Sequence, residues 1–346
     1  MIQLSEMFPP RPEDAWHLVK QAGVDTVVAL LDGAEQDQRM FAAVGADGHR
    51  GSAASGDAPW SERAIARNVA TFAEHGFEVV AVEDTAPMDR ARMGLPGRDE
   101  EIEAVITQVR AMGRLGIPVL CYNWMALTSW GRTRADIPGR GGALVTGYRA
   151  ADADALPPLV EPGSVTAEQL WSALQYFLDA VIPEAQAAGV RLGVHPDDPP
   201  RAASRGVPRI MNSPEAYRRL LAMYPARENG ITFCQGNWGL MGHDLPTLIR
   251  EFAGQDRIAF VHFRDVRGTA EDFVETFHDE GQTDLVACME AYRDCGFDGP
   301  LRPDHVPTMH GEPNDRPAYA VLGRLFAIGY IRGLQHAVYG KPRISV

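Results

Sequence analysis

Short apolar runs alternate with longer amphipathic ones along most of the chain. Residues 25–31, Asp25-Thr26-Val27-Val28-Ala29-Leu30-Leu31, are apolar on both parities and rich in β-branched side chains, the pattern of a strand buried on both faces. Residues 78–83, 118–122, 192–195, 231–234, 258–264 and 301–304 repeat that pattern, and residues 1–8 offer a shorter, semi-apolar first member. Helical spacing fills the intervals, over residues 13–22, 61–75, 99–115, from 166, from 213, 245–253, 283–295 and 316–338. Behind a capping box of Thr166 and Gln169, the side chains Leu170, Trp171, Leu174, Phe177, Leu178, Val181 and Ile182 share one face, and Pro183 is expected to kink or shorten that helix. Gly23, Gly76 and Gly116 follow three of the helices, where a left-handed residue closes the last turn. Ser213 and Pro214 supply a cap and a first-turn proline for another.

Strands alternating with helices predict a parallel sheet flanked by helices, and eight such units predict closure into a (β/α)8 TIM barrel. The reading is of one α/β domain over residues 1–346, with long βα loops inserted at about 32–60 and 126–165. The second loop leaves the carboxyl end of a strand and is expected to lie over the site as a lid. A doubly wound open sheet is the rival architecture; no strand here is followed by the Gly-x-Gly-x-x-Gly phosphate turn that would favour it.

Composition changes this picture little, and charge narrows the partners. With 45% hydrophobic and 23% charged residues the chain is ordinarily globular. A formal charge of −13 with no basic tract argues against nucleic acid, while an anionic small substrate would need locally concentrated positive charge. No apolar run approaches the roughly 18 residues of a membrane span. The start of the chain lacks the features of a signal peptide, and four cysteines in this length do not form a disulfide framework. A cytoplasmic protein without membrane partners is expected. Cys121 reads as barrel packing, Cys288 and Cys295 as buried thiols.

The chemistry collects at the carboxyl ends of the last four strands: His195, Cys234, His262 and Asp304, each about one βα unit from the next. In a closed barrel they meet at one mouth. Two imidazoles, a thiolate and a carboxylate suit a divalent transition ion such as Mn²⁺, Fe²⁺ or Zn²⁺. The alternative is four separately satisfied buried polar residues. Strand parity turns Arg264 inward with His262 and Arg302 inward with Asp304, making both arginines candidate clamps for a substrate carboxylate, or partners in internal salt bridges. Asp197, in His195-Pro196-Asp197-Asp198-Pro199-Pro200, shares parity with His195 and is a candidate for orienting a ligand or a substrate hydroxyl. His305 is a candidate proton carrier.

Cys121-Tyr122-Asn123-Trp124-Met125, the His195–Pro200 motif, Val261-His262-Phe263-Arg264 and Arg302-Pro303-Asp304-His305 resemble the signature blocks of the mannonate dehydratase family, within the xylose-isomerase-like barrels. Looser likeness appears at Arg98-Asp99, at Phe273-Val274-Glu275-Thr276-Phe277-His278 and in the tail over 319–333, in order from about residue 76 to 338. The resemblance implies a metal-dependent hydro-lyase of hexuronate catabolism that converts D-mannonate to 2-keto-3-deoxy-D-gluconate, commonly as a homodimer. By matching positions it implies His195, Cys234, His262 and Asp304 as metal ligands and His305 and Tyr319 as proton-transfer groups. Asn123 joins Arg264, Arg302 and Asp197 as a candidate substrate-binding residue. Which of His305 and Tyr319 is acid and which base stays open.

Three segments depart from the family pattern: the first strand has no aromatic or arginine before Phe8, Pro87-Met88-Asp89-Arg90 lacks a histidine, and the loop from 32 to 59 has no counterpart. These lie near the substrate rather than the metal, so an isomerase, epimerase or β-eliminase acting on a related sugar, or a non-catalytic binding barrel, remains a rival reading.

Overall fold

In a computed structural model, residues 1–31, 56–161 and 163–340 are described. Most of the expected 32–60 insertion lies outside them. Eight parallel strands close a barrel: β1 (Gln3–Phe8), β2 (Thr26–Ala29), β3 (Glu78–Val82), β4 (Val119–Asn123), β5 (Arg191–His195), β6 (Asn229–Cys234), β7 (Ile258–Phe263) and β8 (Pro300–Pro303). Each is hydrogen-bonded to the next in sequence, and β8 returns to β1 through Gln3 opposite Pro300. Eight helices alternate with the strands, over Asp14–Gln21, Glu62–Glu74, Arg98–Arg114, Ala167–Ala188, Pro214–Met223, Leu245–Ala253, Leu285–Asp294 and Val321–Tyr339. The (β/α)8 expectation is met.

Alternation along each strand divides the core. One set of strand side chains, including Val27, Leu120, Val194, Phe233, Val261 and Leu301, packs under the helices. The opposite set fills the barrel with Met7, Val28, Ala81, Cys121 and Phe260. At Gly193 the interior is tight, since a Cβ there would come 2.6 Å from the Thr232 hydroxyl. Ser61, Thr166 and Ser213 cap their helices by accepting from the third backbone N–H. The Thr166 box is half made: Gln169 donates to the Met93 carbonyl at 2.9 Å instead of reaching back. Pro183 does not shorten its helix, which continues to Ala188 with Val181, Ile182 and Ala185 fully buried, so packing outweighs the lost hydrogen bond. Cys288 is buried as expected, but Cys295 is partly exposed at the end of its helix.

The long connection after β4 builds an antiparallel sheet that its sequence did not announce. Strands Arg134–Pro138 and Leu144–Arg149 join Asp272–Glu275 and Val266–Thr269, from the connection after β7. This covering sheet is fastened to the barrel mouth by paired backbone bonds between Leu144 and Thr308 and by Asn314 Nδ2 donating to the Ala135 carbonyl at 2.8 Å. Among the described residues, no helix is long and apolar enough to cross a membrane.

Candidate metal centre

Parallel register sets the strand ends side by side: Asn123 is opposite His195, Cys234 opposite His262, and His262 opposite Arg302. His195, Cys234 and His262 bring their donor atoms within 4.8 Å of one another. His195 Nδ1 lies 2.7 Å from the Pro196 carbonyl oxygen, which only accepts, so Nδ1 carries the proton and Nε2 keeps its lone pair. Burial lowers the His195 pKa against the pull of Asp304 and Glu83, keeping the ring in its neutral, metal-binding form. His262 is buried; its Nε2 lies 3.2 Å from Glu83 Oε2 but without hydrogen-bond geometry, and its Nδ1 makes no hydrogen bond. An imidazole left this way is costly unless something else satisfies it. Asp304 stands beside the triad, its Oδ2 3.6 Å from Cys234 Sγ and 3.7 Å from His262 Nδ1.

Glu83, Cys121 and His262 likewise bring one donor atom each within 4.8 Å of one another. There, however, each Glu83 oxygen accepts a 2.7 Å bond from Arg302. Burial pushes the Cys121 thiol well up, and the Thr232 hydroxyl donates to its sulfur at 3.3 Å. With one donor protonated and another engaged, this group is the poorer cation site.

Around the triad runs a buried ionic network. Arg264 meets Glu275 at 2.9 Å, Asp198 at 3.0 Å and Asp304 at 2.7 Å. Arg132, just before the covering sheet, grips both oxygens of Asp198 at 2.7 and 3.0 Å and reaches Glu275. Arg302 joins Glu83 to Asp304. Arg264 and Arg302 therefore turn inward as parity requires, but their forks are committed to protein carboxylates rather than left open as a substrate clamp. Asp197 also differs from expectation. Its Oδ2 accepts from the Met211 N–H at 2.7 Å and its Oδ1 faces Arg209 at 3.8 Å, so it secures the 197–211 loop, while its neighbour Asp198 enters the network. Asn123 Oδ1 accepts from the Met125 N–H at 3.0 Å, turning the chain at the strand end.

His305 and Tyr319 are brought together, ring centroids 5.5 Å apart and edge to face, with Trp130 lying 4.5 Å from His305. Burial pushes the Tyr319 phenol far up, so it holds its proton.

Two consequences can be measured. A Cβ on Gly236 would come 2.6 Å from Arg264 Cζ. Gly236→Ala is expected to displace Arg264, lowering stability by about 1–3 kcal/mol in urea unfolding and reducing activity. The second concerns acid. Burial alone would raise Glu83, but Arg302 and His262 outweigh it and bring its pKa from 4.5 to about 2. Because the folded value lies below the unfolded one, this stabilisation is complete above about 4.5 and lost as pH falls towards 2. Asp197, pushed up from 3.8 to about 6 by burial despite Arg209, acts in the opposite sense between those values. Thermal midpoints measured from pH 7 downward are expected to fall most steeply below 4.5, and Glu83→Gln to flatten that acid limb.

Comparison with known proteins decides the family. The model of the family described as D-mannonate dehydratase (UxuA) matches residues 15–160 and 159–344. The chain belongs to the D-mannonate dehydratase family. Mannonate dehydratase 2 of Halalkalibacterium halodurans is 32% identical over 305 residues, covering 81% of this chain and 88% of that protein. Mannonate dehydratase of Streptococcus pneumoniae is 32% identical over 290 residues, covering 76% and 79%. The crystal structure of mannonate dehydratase from Streptococcus suis serotype 2 superposes with a TM-score of 0.86 at 27% identity, over 100% of this chain and 97% of that one. More distant barrels, such as a xylose isomerase domain protein from Alicyclobacillus acidocaldarius at 14% identity and a TM-score of 0.58, share the fold. Mannonate dehydratases form a metal-dependent family, and the residues here fit such an ion: two neutral-capable imidazoles, one with no hydrogen bond, face a thiol and a carboxylate.

Glu83, Glu275, Arg132 and Trp130 escaped the sequence reading as site residues, whereas Asp198 reads, beside Asp197, as an orienting carboxylate. Glu83 immediately follows β3 at the same barrel end as the predicted ligands, so the strand-end rule applied to every strand would have found it. Glu275 lay inside one of the resembling segments, whereas Arg132 and Trp130 sit in a connection with no periodic signal.

Proposed function

We propose that this chain is a divalent-metal-dependent hydro-lyase that dehydrates D-mannonate to 2-keto-3-deoxy-D-gluconate. The observation carrying the reading is the juxtaposition, in a member of this family, of the His195, Cys234 and His262 donors with the His305–Tyr319 pair. His195, Cys234 and His262 would hold the ion, with Asp304 as fourth donor. Held there, such an ion would supply Lewis acidity towards the carboxylate and adjacent hydroxyl of a sugar acid, which would acidify the C2 proton.

The chain's own groups do the rest. Arg264 and Arg302 fix Asp304 and add positive potential where charge accumulates as the C2–H bond breaks. His305 takes the C2 proton. Tyr319, which retains its phenolic proton, donates to the departing C3 hydroxyl, so water leaves and the C2–C3 enol remains. The enol then gains a proton at C3 and becomes the keto acid. Trp130 and the covering sheet exclude bulk water from this side of the mouth.

Mn²⁺ is the ion we favour for a site mixing carboxylate, imidazole and a single thiolate. A homodimer follows the habit of the resembling family. Four cysteines outside any disulfide suit the cytoplasm. A keto-acid assay with D-mannonate, D-gluconate and related aldonates plus Mn²⁺ tests the reading; turnover of none of the aldonates by metal-loaded protein would sink it.

A further inference from the structure

Glu275 ends a strand of the covering sheet, yet its carboxylate is buried against the barrel mouth, with Oε1 2.8 Å from His305 Nδ1. Arg132 Nη2 also approaches Nδ1, at 3.0 Å. Counting protons settles which contact is the hydrogen bond. Arg132 Nη2 has two N–H groups, and these are directed to Asp198 Oδ2 and Glu275 Oε1, leaving none for the ring. Glu275 is flanked by two guanidinium groups that hold it ionised, so it can only accept. Nδ1 therefore carries a proton and gives it to Glu275. Trp130 lies over the ring at 4.5 Å and Tyr319 meets it edge to face, which fixes its plane. Nε2 points to the metal side, 3.7 Å from Asp304 Oδ1.

We propose that Glu275 is a positioning residue for His305: presented by the covering sheet, it holds the imidazole with Nδ1 protonated and the Nε2 lone pair facing the reacting carbon. The inference rests on the reading of His305 as the group that takes the C2 proton. A neutral histidine left to itself prefers its proton on Nε2, the tautomer that could not accept there. Glu275 reverses that preference through a charge-assisted bond. The covering sheet thereby supplies part of the proton-transfer apparatus as well as a roof.

The test begins with the wild-type chain loaded with Zn²⁺, a diamagnetic ion. Nitrogen NMR of the histidine rings, with His305 assigned by its loss in His305→Asn, is expected to show a protonated Nδ1 and an unprotonated Nε2. A proton on Nε2 overturns the proposal, and this measurement requires no substrate and no variant at Glu275. In the Mn²⁺-loaded enzyme, Glu275→Ala is expected to lower kcat about 10- to 100-fold, with KM within about threefold and metal content unchanged. Glu275→Gln, whose amide oxygen can still accept from Nδ1, is expected to restore the tautomer and most of kcat. Both variants lose the ion pairs to Arg132 and Arg264, so a merely structural role would impair them equally; that result also overturns the proposal. Wild-type enzyme inactive on D-mannonate would overturn the proposed function instead, with the tautomer still readable.

Discussion

Cys234→Ala and His262→Ala chains are expected to purify with far less than one divalent ion each and to lose at least about 1000-fold in dehydration rate. Cys234 ends β6 directly opposite His262 on β7, and both side chains are buried at the barrel mouth. The His262 ring has a 3.2 Å contact to Glu83 without hydrogen-bond geometry, and Cys234 has a 3.6 Å contact to Asp304. Removing the thiol also removes one of the two negative charges that, with Asp304, balance a divalent cation. Elemental analysis beside the keto-acid assay reads both effects. A Cys234→Ala chain that kept both its metal and its rate would mean that the ion is held elsewhere, and the Glu83, Cys121 and His262 group would be the next to examine.

Loss of proton transfer should look different. His305→Asn and Tyr319→Phe are each expected to lower kcat by about 10²- to 10⁴-fold while the ion stays bound. Tyr319→Phe is the sharper of the two, since the ring keeps its packing against His305 and Trp130 and only the hydroxyl is lost. An enzyme within about threefold of wild type after either change would remove that residue from the proton pathway. A wild-type rate with D-mannonate combined with metal loss in His305→Asn would instead mark His305 as a support for Asp304.

The barrel was legible because its signal is local and repeated. Short strands apolar on both parities, helices with Ser or Thr caps, and glycines at φ of +81°, +74° and +73° at Gly23, Gly76 and Gly116 all point to the same alternation. The clustering of the candidate donors was legible for a related reason. In a closed parallel barrel, chain position at a strand end translates directly into place around the mouth, and His195, Cys234 and His262 needed only that rule. What parity could not give was the choice of partner. It turned Arg264 and Arg302 inward correctly, but Glu275, Asp198 and Glu83 reach them from separate segments, and no spacing encodes such pairings. Asp197 and Asp198 show the same limit at one-residue scale: the two adjacent carboxylates go to the Met211 N–H and to Arg132 respectively. The covering sheet stayed hidden because Arg134–Pro138 and Leu144–Arg149 are short, mixed in polarity and separated by glycines, so their strand character comes from pairing, Arg134–Pro138 with Leu144–Arg149 and Leu144–Arg149 with Asp272–Glu275.

The buried network also bears on heredity. Arg132, Asp198, Arg264 and Glu275 belong to separate stretches of the chain, yet each touches at least two of the others or their shared partners. A buried charge stripped of its counter-ion is strongly destabilising, so a change at one of these positions is tolerated only with a matching change at another. Gene recombination with a relative that arranges these charges differently would leave unmatched ions under the roof wherever the crossover fell between residues 132 and 275. Roof and rim can diverge in lineages only together.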